Sequence, residues 1–366
     1  MIRAHKIRLK ANNAQSTYFS KACGVARFAY NWALAKTKEQ YELDSSMKFK
    51  ESELRKQLNA IKKTEFPWML EVTKCAAQLA IKDGLNKAFM NFFAKRAAFP
   101  KFHKKGVHDS FSLSNDQFKI NGKSVKIPNL GWVKLFEELR FDGKILGATV
   151  GRTADKWFIS VQVEMPDKSI VESENQAVGV DLGIKTLVTL SDGTQITGSK
   201  ASRQYEEQLK RLNQSLSRKI GAKKGEKKSA NFEKAKKQVS RLYAKMANIR
   251  SDETHKLTTM LTQNYGIVGI EDLNVKGMMR NHNLARSVAD MSFFEFRRQL
   301  EYKSDSAGVK IVVADMWFPS SKVCSSCGVK KEGLSLSERL FNCECGFVCD
   351  RDLNAALNLK NYALTH

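Results

Sequence analysis

No run of apolar residues approaches the ~18 that a membrane-spanning helix needs. The first residues, Met1-Ile2-Arg3-Ala4-His5-Lys6, are charged with no apolar stretch behind them, so no secretory signal is read there. Lipidation signals and a basic amphipathic anchor are missing as well. So are internal repeats, low-complexity tracts, a zinc-finger array and an obvious recognition helix. Negative charge is scarce too. There are 38 Asp+Glu against 62 Lys+Arg, a formal net charge of +24. A charge that large repels itself in the compact state, and a polyanion would relieve it. Without a membrane anchor, nucleic acid is favoured over an acidic membrane surface. The chain is expected to stay in the cytoplasm of a prokaryotic-type cell, associated with the nucleoid.

What is present supports folded domains. The 366 residues suggest two or three domains, and 42% hydrophobic residues are enough to bury real cores. This is no disordered polycation. Of seven cysteines, Cys23 and Cys75 sit alone in apolar helical patterns and read as buried small hydrophobes. The other five crowd into residues 324–349.

Along the chain, residues 2–10 alternate as a strand, with Ile7 and Leu9 on one face and Arg8 and Lys10 on the other. Helical spacing then runs through Phe19, Cys23, Ala26, Tyr30 and Leu34. It continues through Leu54, Leu58 and Ile61, and again from Val72 to about Arg96. Residues 98–165 switch to short alternating strands around Phe111–Leu113, Phe118–Ile120, Val125–Ile127, Trp132–Leu135, Ile145–Val150 and Trp157–Val163. Hairpin-type turns are expected at Asn121-Gly122 and Asp142-Gly143. With the first strand these could close a β-barrel, with the helices inserted. The stretch from Phe99 to Lys105 mixes aromatics with cations. It suits base stacking with phosphate contact, or a solvated basic loop with two core anchors.

Residues 166–176 read as a linker. A β-meander follows from Ala177, with a turn at Asp192-Gly193, and then a basic helical stretch over 199–264 that breaks at Gly221 and Gly225. Gly266–Glu271 and Val309–Ala314 are buried-type strands. Between them lies a helix carrying Phe293, Phe294, Phe296 and Leu300, and a last helix starts near Asp352.

Asp181 and Glu271 each end an apolar strand. Asp350 and Asp352 stand at the start of the last helix. A charge at the end of a buried strand is costly unless paired or metal-bound. Two such ends plus an acidic helix start suggest one carboxylate cluster holding two Mg²⁺, with Asp181 bridging both, for phosphodiester cleavage. Asp350 and Asp352 point in very different directions, so one is expected to reach the metal and the other to cap the helix. Cys324-Ser325-Ser326-Cys327-Gly328 and Cys343-Glu344-Cys345-Gly346 have the spacing of a four-thiolate structural Zn²⁺ ribbon, with Cys349 as a spare thiol.

An ordered set of motifs then runs through nearly the whole chain. It comprises Phe28-Ala29-Tyr30-Asn31-Trp32, Phe66-Pro67-Trp68, Gly179-Val180-Asp181-Leu182-Gly183 and Gly269-Ile270-Glu271-Asp272-Leu273. Phe318-Pro319-Ser320-Ser321-Lys322, the two cysteine pairs and Asp350-Arg351-Asp352-Leu353-Asn354-Ala355-Ala356 complete it. In these the sequence resembles the TnpB family of transposon-encoded proteins, relatives of the type V CRISPR effectors. The resemblance implies a multidomain α+β protein. Residues 1–10 and 98–170 would be a β-barrel wedge, and 11–97 an inserted helical recognition domain. Residues 176–316 and 349–366 would be a split RNase H-like (RuvC-like) nuclease, and 317–348 an inserted zinc ribbon that binds target nucleic acid. It implies a Mg²⁺-dependent, RNA-guided DNA endonuclease with Asp181, Glu271 and Asp352 as the triad, the last preferred to Asp350. Cys324, Cys327, Cys343 and Cys345 would hold one Zn²⁺. Its partners would be a guide RNA from the transposon end and a double-stranded DNA target. Two other readings compete: an RNA-guided DNA-binding regulator without cleavage, and a transposase acting on transposon ends.

Overall fold

The computed structural model describes residues 1–44, 49–166, 176–220, 228–335 and 338–366. The chain divides into two compact units, Met1–Pro166 and Asp167–His366.

In the first unit, strand β1 (Ile2–Lys10) buries Ile7 and Leu9 as its alternation requires. Helix α1 (Asn13–Leu43) starts at a reciprocal capping box. Asn12 accepts from the Gln15 amide at 2.8 Å, and Gln15 accepts from the Asn12 amide at 3.1 Å. Helix α2 (Glu51–Ile61) follows. The single helix expected from Val72 to about Arg96 is divided instead. Helix α3 (Lys74–Leu79) passes into a π-helical turn, Ala80–Leu85, before helix α4 (Asn86–Phe93). The turn contains Gly84, a weak helix former facing the Tyr30 ring.

Six strands follow: β2 (Ser110–Ser114), β3 (Lys119–Asn121), β4 (Ser124–Ile127), β5 (Gly131–Leu135), β6 (Lys144–Thr153) and β7 (Lys156–Glu164). They join β1 in one sheet of order β2-β6-β7-β1-β5-β4-β3. Gly122 turns β3 into β4 at positive φ, as expected. Asp142-Gly143 is no hairpin, because β5 and β6 are not neighbours. It belongs to a longer crossing, and the tight turn lies at Ala154-Asp155 between β6 and β7. The buried residues of helices and sheet form one continuous core, with Phe19 against Trp157 and Phe111.

The second unit is built on a five-stranded sheet. It contains β8 (Ala177–Leu182), β9 (Val188–Leu190), β10 (Gln195–Ile196), β11 (Ile267–Glu271) and β12 (Lys310–Ala314), in order β10-β9-β8-β11-β12. The first three are antiparallel, and β8, β11 and β12 run parallel. Helices α5 (Ala201–Gln204), α6 (Glu206–Ser217) and α7 (Ala230–Asn264) precede β11. The breaks expected at Gly221 and Gly225, like most of the 166–176 linker, lie outside the described residues. Helices α8 (Val275–Met278), α9 (Ala285–Met291) and α10 (Phe293–Ala307) lead to β12. Leu257 and Leu261 of α7 join Phe293, Phe296 and Leu300 of α10 in the core over the sheet. A hairpin of β13 (Leu340–Asn342) and β14 (Val348–Asp350) precedes the last helix, α11 (Arg351–Thr365).

Candidate carboxylate site and four-cysteine centre

The parallel register pairs Ile267 with Ala177 and ends at Ile270 opposite Val180. One step further, Asp181 and Glu271 leave adjacent strand ends together. The carboxyl ends of parallel strands are where open α/β sheets bind ligands. Asp352 arrives on α11, and glycine sets its approach. Gly179 and Gly269 are register partners on β8 and β11. A Cβ on Gly179 would lie 1.9 Å from the Ala356 carbonyl oxygen, and one on Gly269 2.4 Å from that of Leu359. The helix backbone therefore rests directly on a strip without side chains. Asp350 is the cap, accepting from the Asp352 amide at 2.9 Å and the Leu353 amide at 3.1 Å. That leaves the Asp352 side chain available, flanked at 3.9 Å by Arg339 and by Arg351. Asp272 is paired with Arg297, so of the two adjacent acids Glu271 is the one left for the cluster.

The electrostatics link the three acids. Burial pushes the Asp181 carboxyl well above its ordinary range, and Glu271 and Asp352 push it further, against a smaller opposing effect of Arg351. Burial also raises Glu271, with Asp352 adding, while a hydrogen bond from the Ser320 hydroxyl works the other way. Oxygen donors that repel one another in a buried place suit a hard divalent cation. The three carboxylates do not converge as tightly as the cysteines do. Among the described residues, the cysteine set is the group whose donor atoms all lie within 4.8 Å of one another.

Cys324, Cys327, Cys343 and Cys345 meet as their spacing predicts. The Cys324–Cys345 sulfurs are 3.8 Å apart and the Cys327–Cys343 sulfurs 3.6 Å. A tetrahedral site with Zn–S near 2.3 Å separates its sulfurs by about 3.8 Å, whereas a disulfide needs about 2.05 Å. The set can hold a zinc ion. Each knuckle is built alike. The Gly328 amide donates to the Cys324 carbonyl at 2.9 Å, and the Gly346 amide to that of Cys343 at 3.0 Å. Both glycines have positive φ. Burial disfavours the Cys324 thiolate, yet the amides of Cys327 and Ser326 and the neighbouring thiols bring it down to about 7. Cys349 stays outside the set, its thiol on the Asp350 carbonyl at 3.2 Å. Cys23 and Cys75 are buried, as small apolar residues would be.

In the first unit, the motif aromatics meet one another. The Phe28 ring lies 4.7 Å from Phe66 and 5.1 Å from Trp68. The Phe99–Lys105 stretch is tied to α1. Asn31 exchanges two hydrogen bonds with the His103 backbone, and His103 stacks on Tyr30 at 3.8 Å. Phe99 and Phe102 remain substantially exposed beneath Lys38.

Four residues carry roles that sequence reasoning had not assigned. Gly269 seats α11 beside Gly179. Ser320 donates to Glu271, and Asn354 and Asn358 of α11 bind the chain leading to the first knuckle. Three of the four lie in the motifs quoted above. The signal was present, but nothing local said what these side chains touch.

The fold has a counterpart among solved structures. The structure of a Cas12f1–sgRNA–target DNA complex aligns with a TM-score of 0.64 over 99% of both chains, at 14% identity. Three family models match: OrfB_IS605, "Probable transposase", over residues 160–282, a Cas12f1-like TNB domain over 293–359, and a "Helix-turn-helix domain" over 1–45. The described residues of that last match form one strand and one unbroken helix rather than two helices. A Streptomyces pristinaespiralis protein named "Putative RNA-guided DNA endonuclease" is 36% identical over 98% of this chain and 88% of its own. InsQ of Escherichia coli (strain K12), which carries the same description, is 32% identical over 98% and 91%. The chain belongs to the TnpB family.

Proposed function

We propose that Asp181, Glu271 and Asp352 form the Mg²⁺-binding catalytic centre with which this chain, an RNA-guided DNA endonuclease, cuts its target. The carrying observation is the pair of acids leaving adjacent buried strands with a third acid whose charge acts on both, Asp181 held well above its ordinary pKa by burial and by both partners. Such a cluster costs stability unless a cation occupies it. When bound, Mg²⁺ would stabilise the attacking and leaving oxygens of phosphodiester hydrolysis. The chain's own contribution is placement. The strand register fixes two ligands, and the glycine strip with the Asp350 cap fixes the third.

Base pairing with a guide RNA from the transposon end would carry sequence specificity on a double-stranded DNA target. The +24 charge would serve the phosphates. The four cysteines would hold one structural Zn²⁺. The sheet of the first unit fits a wedge curled toward a barrel, because its end strands β2 and β3 are joined by only Asn115–Phe118.

The test is to express the gene with its native downstream DNA and sequence the RNA that co-purifies. The expected result is a discrete RNA with a fixed scaffold and a variable end, which then directs cleavage of a matched target. Asp181→Ala should keep RNA and DNA binding and lose more than about a hundredfold in cleavage, beyond what a supporting residue contributes. Equal cleavage by parent and variant would overturn the assignment.

A further inference from the structure

The turn entering the ribbon reaches back to the carboxylates through one side chain. Ser320 is 5% exposed, and its hydroxyl donates to Glu271 Oε1. Its carbonyl accepts from Asn358 Nδ2 at 2.7 Å. The same amide reaches the Val323 carbonyl at 2.6 Å, which Asn354 Nδ2 also bonds at 2.7 Å. Asn354 Oδ1 accepts from the Ser325 amide, inside the first knuckle, at 3.0 Å. Both asparagines are buried on α11, the helix that carries Asp352. Buried amides bonded in one network specify one arrangement of the segments they join.

We propose that Ser320 is a positioning residue for Glu271: its hydroxyl fixes Oε1 and leaves Oε2 to the cation, and Asn358 and Asn354 lock that hydroxyl to the helix bearing Asp352. The inference rests on the carboxylate reading above. Two ligands from distant parts of the chain thereby share one brace. Partners of this kind contribute about 10–100-fold to metal affinity. If Ser320 merely filled space, any side chain of its shape would serve.

Ser320→Thr and Ser320→Val have nearly the same shape and differ in the hydroxyl. Each would be prepared loaded with guide RNA, without DNA, and titrated with Mn²⁺ alone by electron paramagnetic resonance. Asp181→Ala supplies the background from RNA-bound ions. The expected result is a Mn²⁺ affinity about tenfold weaker in Ser320→Val than in Ser320→Thr, with equal melting temperatures. The Mg²⁺ needed for half-maximal cleavage should rise in parallel. The smaller Ser320→Ala should show the same loss relative to the parent, which covers failure of the branched variants to fold. Equal Mn²⁺ affinity in Ser320→Thr and Ser320→Val, or a parental affinity in Ser320→Ala, overturns the proposal. Glu271→Gln measured alongside separates the two levels. Parental metal binding there removes the carboxylate reading itself. Lost binding there, with no effect of the Ser320 hydroxyl, removes only the brace.

Discussion

The four-cysteine centre, which can hold a zinc ion, and the carboxylate cluster proposed for Mg²⁺ are made in opposite ways. The cysteines all come from residues 324–345, on two knuckles that each close with a hydrogen bond from the amide of a positive-φ glycine. Their sulfurs already stand near tetrahedral zinc spacing. Asp181, Glu271 and Asp352 come from three distant segments. Their placement depends on a strand register, a strip of two glycines and a helix cap. The first site is specified by its ligands and their immediate neighbours. The second is specified by packing among parts of the chain that carry no ligand. Damage should therefore act locally in one and remotely in the other.

Removing ligands from the local site should have the largest effect on metal content. Cys324→Ser with Cys327→Ser should take zinc from about one per chain to none. Among its described residues the ribbon buries no apolar side chain beyond Phe341 and Cys324, so its folding is expected to depend on the metal. Elemental analysis gives the zinc, and limited proteolysis should cut residues 317–348 first. Full zinc in the double variant would show that these two sulfurs are not ligands and end the contrast.

The next effect tests remote control of the carboxylates. Gly269→Ala adds a Cβ 2.4 Å from the Leu359 carbonyl oxygen and 2.9 Å from Ala363 Cβ, neither of which is the end of a flexible side chain. The helix must shift, at about 1–3 kcal/mol of overpacking and about 2–4 °C of melting temperature per kcal/mol for a unit of this size. Guided cleavage should fall while zinc stays at about one per chain. Parental melting and cleavage would mean that α11 is not seated on this strip.

The contrast also explains what could be read from the sequence. The ribbon was legible because ligand spacing and the following glycines are local quantities. The strand ends at Asp181 and Glu271 were legible as apolar runs closed by an acid. Spacing alone told that Asp350 and Asp352 do different jobs, and only the resemblance chose Asp352 for the triad, because capping depends on backbone angles. Gly269 and Ser320 were visible as letters only. Their work is to admit a helix backbone and to meet a carboxylate 49 residues away in sequence. The single helix expected through Val72–Arg96 changes form at the π turn, where the apolar pattern continues although the hydrogen bonding widens to the π spacing. The Asp142-Gly143 turn failed because a turn dipeptide does not say which strands it joins.

The smallest effect, of a few °C, concerns the carboxylate site alone and appears as a dependence on pH. A carboxyl whose folded-state pKa is raised holds its proton more tightly folded than unfolded. The stability it contributes is present below the unfolded value and lost as pH rises through the folded one. For Asp181 that window opens at 3.8 and extends upward. Glu137, Glu206 and Glu295 are lowered chiefly by hydrogen bonds from Arg140, Arg286 and Arg298. Their window lies below 4.5, with stability rising with pH. Above 4.5 the slopes therefore separate, and the fall belongs to Asp181 and Glu271. With chelator present, the parent should lose melting temperature relative to Asp181→Asn as pH rises through this window. Mg²⁺ should close the gap at the upper end, since it binds only the ionised carboxylates. A gap that does not change with pH would mean that the Asp181 carboxyl is not raised, and the cluster would then lack the repulsion that calls for a cation.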